Sequence, residues 1–313
     1  MTVLVSSPPA GAADTWARLV SRHYGRFLPG TPTIVVQDAP GGAGILMANR
    51  LADSAPDGLT IGMQHPQATA FQLHSEPAVR YDVTSWTWLG SPAVERYVFG
   101  IHKGTGVSPT NLDLLKTRTI SSANVSPGDS EHLTQVALKL GLGWKIIPTF
   151  GFQGERETVL SLDRREADGV TLMWKGFISN QPDDLASRII QPLVQFGGPR
   201  AELGATGLPI ARDLFSTASP QAREALAYVE GPFSWSRALA TAPNTDPRIG
   251  ATMRAAMWAM MSDPEFLADA SQRKLEITPT SGERVQSLIR DYMNTSSEIL
   301  RLVEDQVGAD TPR

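Results

Sequence analysis

Two runs of small residues stand where apolar strand patterns give way to helical ones. The first is Pro8-Pro9-Ala10-Gly11-Ala12-Ala13, followed by Asp14, and the second is Ala39-Pro40-Gly41-Gly42-Ala43-Gly44. A helix start leaves its first N–H groups without internal partners and carries roughly half a positive charge, so it holds an anion without help from Lys or Arg. Residues with little or no side chain let a carboxylate, or a water bridging to it, come close to the main chain. Pro9 to Asp14 and Gly41 to Gly44 are therefore expected to grip one carboxylate together. Each run taken singly also serves as a tight turn before a helix. Asp14 is as good a helix cap as a ligand contact.

The elements that must carry these runs alternate. Val3–Val5, Thr33–Gln37 and Leu59–Met63 read as strands, with helical patterns at Thr15–Phe27 and Ile45–Leu51 between them. That βαβαβ rhythm is the sign of a parallel sheet, and its strand-to-helix joints lie at the carboxyl ends, where open α/β sheets take ligands. A second rhythm follows after about residue 105, with strands near Thr119–Ala123, Trp144–Phe150, Gly169–Met173 and Pro192–Phe196. The fold expected is α/β with two lobes, each a mostly parallel sheet flanked by helices. Residues 1–100 with 232–313 make the first lobe and 101–231 the second. The apolar stretches Tyr97–His102 and Pro232–Ala240 are the candidate hinges. From Asp246 to Val307 the pattern is almost wholly helical. Ser281 opens a helix whose apolar positions Val285, Leu288, Ile289 and Met293 share one face, and that helix is expected to pack on the first lobe.

In the second lobe the joint Asn124-Val125-Ser126-Pro127-Gly128-Asp129-Ser130 offers hydroxyl and amide groups to the far end of a ligand, Ser126 and Ser130 first among them, although serines so placed are more often helix caps than contacts. Phe152 and Gln153, and the strand from Asp168 to Trp174, are expected to reach the same place. Phe152 and Trp174 suit stacking on a flat ligand, although aromatics, Trp16 included, are core residues by default. His65 follows the third strand and is the histidine best placed to line a site; His23, His74, His102 and His132 read as surface or helix residues.

The 313 residues suffice for two cores, and 41% hydrophobic with 19% charged residues is ordinary for a globular chain. A net charge of −4 gives no basic field for a phosphate backbone, so nucleic acid is not an expected partner. The absence of cysteine removes disulfides, thiolate metal sites and thiol catalysis. No apolar run reaches the roughly 18 residues of a membrane span. Met1 leads straight into a strand pattern, which is expected of a cytosolic chain or of one whose export signal has been removed.

Enzymatic readings fail on particular residues. Gly42-x-Gly44 begins a dinucleotide fingerprint, but Met47 stands where the third glycine belongs, and residues 59–67 supply no acid at the end of the next strand. There is no Gly-x-Ser-x-Gly elbow, no His-Glu-x-x-His and no histidine pair at helical spacing. No catalytic residue, metal or cofactor is expected.

The ordered motifs resemble the substrate receptors of tripartite tricarboxylate transporters, the Bug family. Pro9-Ala10-Gly11-Ala12-Ala13-Asp14 with Ala17-Arg18 is similar to that family's Pro-Gly-Gly-x-x-Asp and Ala-Arg, with Ala10 in place of the first glycine. Asp38-Ala39-Pro40-Gly41-Gly42-Ala43-Gly44 and Pro56-Asp57-Gly58-Leu59-Thr60 follow the second pattern, with Asp38 and Ala39 replacing Asn-Arg. Gly151-Phe152-Gln153-Gly154, Arg165-Glu166-Ala167-Asp168-Gly169 and Leu193-Val194-Gln195-Phe196-Gly197 fit in turn. The resemblance implies a type II periplasmic-binding-protein fold, a cleft between lobes, a periplasmic location and a monomer that delivers its ligand to membrane permease subunits. A mono- or dicarboxylate, aromatic acids included, suits loops with no evident Lys or Arg better than a tricarboxylate. A sensor of the same fold, acting on a signalling partner, is the alternative.

Overall fold

The computed structural model describes residues 1–173, 188–197 and 207–311. The chain divides into two compact units, Met1–Val94 with Gly231–Asn294, and Glu95–Glu230 with Thr295–Arg313.

The first unit is built on the sheet β11-β4-β10-β3-β1-β2. Strands β1 (Thr2–Val5), β2 (Val35–Asp38) and β3 (Thr60–Met63) are parallel, so their carboxyl ends share one edge. Helices α1 (Ala12–Tyr24), α2 (Ile45–Ala52) and α3 (Gln67–Leu73) follow them in turn. Strand β4 (Thr87–Ser91), the late strand β10 (Leu239–Thr241) and β11 (Thr280–Ser281) complete the sheet through antiparallel ladders. The core gathers Val3 and Val5 of β1, Leu19 and Val20 of α1, and Met257, Met260 and Phe266 from the chain's last third. Tyr24 Oη ties the two segments by donating to the Met253 carbonyl at 2.8 Å.

The helices of the last third begin where their caps dictate. Asp246 and Asp263 precede Pro247 and Pro264, and each accepts a backbone N–H from the first turn. Ser281 caps the helix Gly282–Met293, whose Val285 and Ile289 are buried and which packs on β4.

The second unit holds the sheet β7-β6-β8-β5-β9. Strands β6 (Ile120–Ala123), β7 (Ile146–Thr149) and β8 (Gly169–Met173) are parallel, whereas β5 (Tyr97–His102) runs antiparallel between β8 and β9 (Ile190–Phe196). Ala123, Leu162, Val170, Leu172 and Ile190 form a core cluster. Helix α5 (Ser130–Leu142) follows β6, and α6 (Glu155–Asp163) follows β7.

Three features differ from the sequence expectation. Each sheet is mixed rather than mostly parallel, because β10 runs antiparallel between β3 and β4 in the first and β5 antiparallel between β8 and β9 in the second. Tyr97–His102, read as a hinge, is a strand paired on both sides inside the second unit. The last helix, Ser297–Asp310, falls in the second unit, where it packs on α5 and on the helix Pro220–Glu230.

Candidate functional site

The joints after β1, β2 and β3 meet at Gly44. A Cβ there would stand 2.8 Å from the His65 Cβ and 3.5 Å from the Ser6 Cβ, so all three loops close on a position that has room for no side chain. Gly41, Gly42, Ala43 and Gly44 all have positive φ, which folds the run into a short 3₁₀ turn ahead of α2. Ala10 shares this demand, with φ of +64°. The position still needs what glycine gives freely, and Ala10→Gly is expected to stabilise the protein by about 0.5–1 kcal/mol in urea denaturation.

The first loop spends most of its donors internally. Ala10 N–H donates to the Asp14 carboxylate at 2.8 Å, Gly11 N–H to the Pro8 carbonyl at 3.0 Å, and Asp14 N–H to Ser7 Oγ at 3.0 Å. Among the described residues the N–H groups of Ala12 and Ala13, in the first turn of α1, have no partner. Asp14 is buried and Arg18 Nε donates to its carboxylate at 2.8 Å. Burial works to raise the Asp14 carboxyl, but Arg18 and the Ala10 N–H hold it below the usual carboxylate range. The Asp14 carboxylate thereby ties down the loop ahead of α1, whose N-cap position is Gly11. Burial first, and then the negative charge of Asp14, raise Asp38 at the end of β2.

His65 Nδ1 accepts the Gln67 N–H at 3.3 Å, which assigns the ring proton to Nε2. Burial first, and then the charge of Arg237, push His65 down to about 4, so it is a neutral donor at physiological pH. Arg237 is the functional candidate that the sequence reading missed. It stands just before β10, whose Leu239 pairs with Met63 and whose Ala238 carbonyl accepts the Gln64 N–H at 2.9 Å. That register delivers a half-buried guanidinium to the carboxyl edge of β3. The one sequence signal was an arginine inside the otherwise apolar stretch Pro232–Ala240.

On the second unit the corresponding edge carries the loops after β6 and β7. Asp129, not Ser126 or Ser130, caps α5: its carboxylate accepts the His132 N–H at 2.8 Å and the Ser126 N–H at 2.9 Å. Ser126 is exposed and Ser130 opens the helix. Phe152 packs partly against the core cluster, and the Gln153 side chain turns back to the Gly151 carbonyl at 3.3 Å. Glu131, in the first turn of α5, is pushed up to about 7 by burial first and then by the neighbouring charges of Asp129, Glu95 and Glu155.

Asp168 does not belong with these residues. It precedes β8, at the amino end of the strand, and its carboxylate accepts both the N–H of Ser121 at 3.0 Å and the hydroxyl of Ser121 at 3.1 Å. Strand length carries the chain to the ligand edge only after Met173. Trp174 lies outside the described residues.

Among the described residues one His/Asp/Glu group has metal-ligand spacing, His23 with Asp263 and Glu265, and Arg26 pairs with both of its carboxylates. No helix among them is long and apolar enough to cross a membrane.

No protein-family model matches the chain, and no curated protein matches it. Among solved structures it is similar to a TctC solute-binding protein from Polaromonas, at 14% identity over 97% of this chain and 98% of that one, with a TM-score of 0.78. A protein of R. palustris with adipate matches at 17% identity over 97% of both chains, TM-score 0.64. MatC from Rhodopseudomonas palustris with bound malate matches at 16% identity over 97% and 98%, TM-score 0.59. At such identities the likeness is one of fold. The chain has the fold of the TctC and Bug solute-binding proteins, a type II periplasmic-binding-protein fold with one α/β sheet in each of two units.

Proposed function

We propose that the protein is an extracytoplasmic receptor that binds a small carboxylate, changes nothing in it, and hands it to the permease of a tripartite tricarboxylate-type transporter. The observation that carries this reading is the convergence of donors on the first unit's carboxyl edge. The N–H groups of Ala12 and Ala13, the His65 Nε2–H and the Arg237 guanidinium all stand at the ends of β1, β3 and β10. Such a set of donors suits an anion.

In this reading the carboxylate docks on the first unit, where the donors are preformed, and the second unit adds the loops after β6 and β7. Closure by hinge motion then stabilises the one form with contacts from both. The acidic surroundings of Glu131 disfavour a second carboxylate there. They weight the ligand class towards monocarboxylates, aromatic acids and amino acids over dicarboxylates. The fold of neighbours holding adipate and malate supports the receptor role.

A thermal-shift screen of malate, adipate, benzoate and leucine tests the reading, since a ligand that binds only the folded protein raises its apparent stability by RT ln(1 + [L]/Kd). A rise with benzoate or leucine, larger than that with adipate, is expected. A flat response to all four would remove the receptor reading.

A further inference from the structure

His132 is the third residue of α5, and its side chain is wholly buried. Its ring touches three separate parts of the second unit. Nδ1 accepts the Gly128 N–H at 3.0 Å, which leaves the ring proton on Nε2, and Nε2 faces the Asp310 carboxylate at 3.1 Å. The ring edge also meets Phe150, with centroids 4.9 Å apart and planes at 86°. Asp310 comes from the last turn of the helix Ser297–Asp310 and is itself held by Lys139 and by Gln306 Nε2 at 3.0 Å.

Gly128 lies in the loop after β6, and Phe150 opens the loop after β7. These are the loops that carry Ser126, Phe152 and Gln153. The two are also joined directly, by the Asn124 N–H to the Thr149 carbonyl at 2.8 Å and the Gly151 N–H to the Val125 carbonyl at 3.2 Å. Helix capping does not account for the imidazole, because the Asp129 carboxylate already caps α5. A buried ring with both nitrogens engaged is a costly way to fill space that an apolar side chain would fill as well.

We propose that His132, oriented by Asp310, is a positioning residue for ligand binding. From beneath, it fixes the loops after β6 and β7 in the shape that meets the far end of the ligand, and it makes no contact with the ligand itself. The inference rests on the receptor reading given above. It also gives the last helix a task in recognition, since Asp310 sets the tautomer that leaves Nδ1 free to accept from Gly128.

Two substitutions separate the ring's two bonds. In His132→Asn the amide oxygen reaches the Nδ1 position and keeps an acceptor for Gly128; in His132→Gln the amide nitrogen reaches the Nε2 position and keeps a donor for Asp310. Calorimetric titration with benzoate and leucine, beside thermal melts of the unliganded proteins, is the measurement. Both variants are expected to melt earlier, but His132→Asn to bind within about threefold of wild type and His132→Gln about tenfold more weakly. His132→Gln binding as tightly as wild type, or both variants losing affinity equally, would overturn the inference while the receptor reading stands. Where His132→Gln does not fold, Asp310→Asn carries the test: about threefold weaker binding supports the inference and wild-type affinity overturns it. Wild type that binds neither probe overturns the receptor reading and this inference with it.

Discussion

Replacing Arg237 with Met is expected to weaken carboxylate binding by thirtyfold or more, about 2 kcal/mol, the usual loss when a charge-assisted hydrogen bond to an anion is removed. Met keeps the apolar length of the stem, so the packing against β3 and β10 is largely preserved. A second readout is independent of the ligand. The charge of Arg237 is the lesser cause holding His65 down at about 4, and burial is the greater. An NMR titration of Arg237→Met is therefore expected to show His65 moving upward while staying below 6.5. The sign for stability follows. A histidine whose folded value lies below its unfolded one loses stability as pH falls from about 6.5 towards 4, and the variant should show a smaller loss over that window. Unchanged affinity with an unchanged His65 titration would remove Arg237 from the site.

Gly44→Val is expected to cost about 2–5 kcal/mol of stability and to abolish measurable binding. Two penalties add. At φ of +104° an L side chain is strained by roughly 1–2 kcal/mol, and a Cβ placed 2.8 Å from the His65 Cβ forces the loops after β2 and β3 apart at a further cost of about 1–3 kcal/mol. Gly42→Val is the control. Its φ is +53°, but a Cβ there would meet Ile45 at an ordinary 3.4 Å, so only the backbone penalty remains. Urea denaturation of both variants decides the matter; equal losses would contradict the convergence of the three loops at Gly44.

The parts of the fold legible in the sequence were those that leave a local trace. Small-residue runs mark the joints after β1 and β2, and a capping serine marks the helix Gly282–Met293. The positive φ of Ala10 shows that the expected turn survives the loss of its glycine. What was not legible depends on partners distant in the chain. Arg237 reaches the site because β10 enters the first sheet antiparallel to β3, and no local pattern announces that register. His132 reads as a helix-surface residue until Asp310, from the end of the chain, covers it. Asp168 was drawn towards the site by its motif, but it stands before its strand, and the Ser121 N–H and hydroxyl take up its carboxylate. Asp14 left two roles open, and the bonds to Ala10 and Arg18 show the structural one.

In the proposed receptor, main-chain N–H groups at the start of α1 hold the ligand's carboxylate. Ala12→Pro tests this role most directly. The first position of a helix accepts proline without strain, and Gly11 before it is already extended, with φ of −68° and ψ of 168°. The substitution thus removes one N–H and little else. Urea denaturation is expected to show stability within about 0.5 kcal/mol of wild type, and calorimetric titrations with benzoate and leucine an affinity about tenfold lower. Affinity equal to wild type in a fully folded Ala12→Pro protein would contradict that role of the main chain.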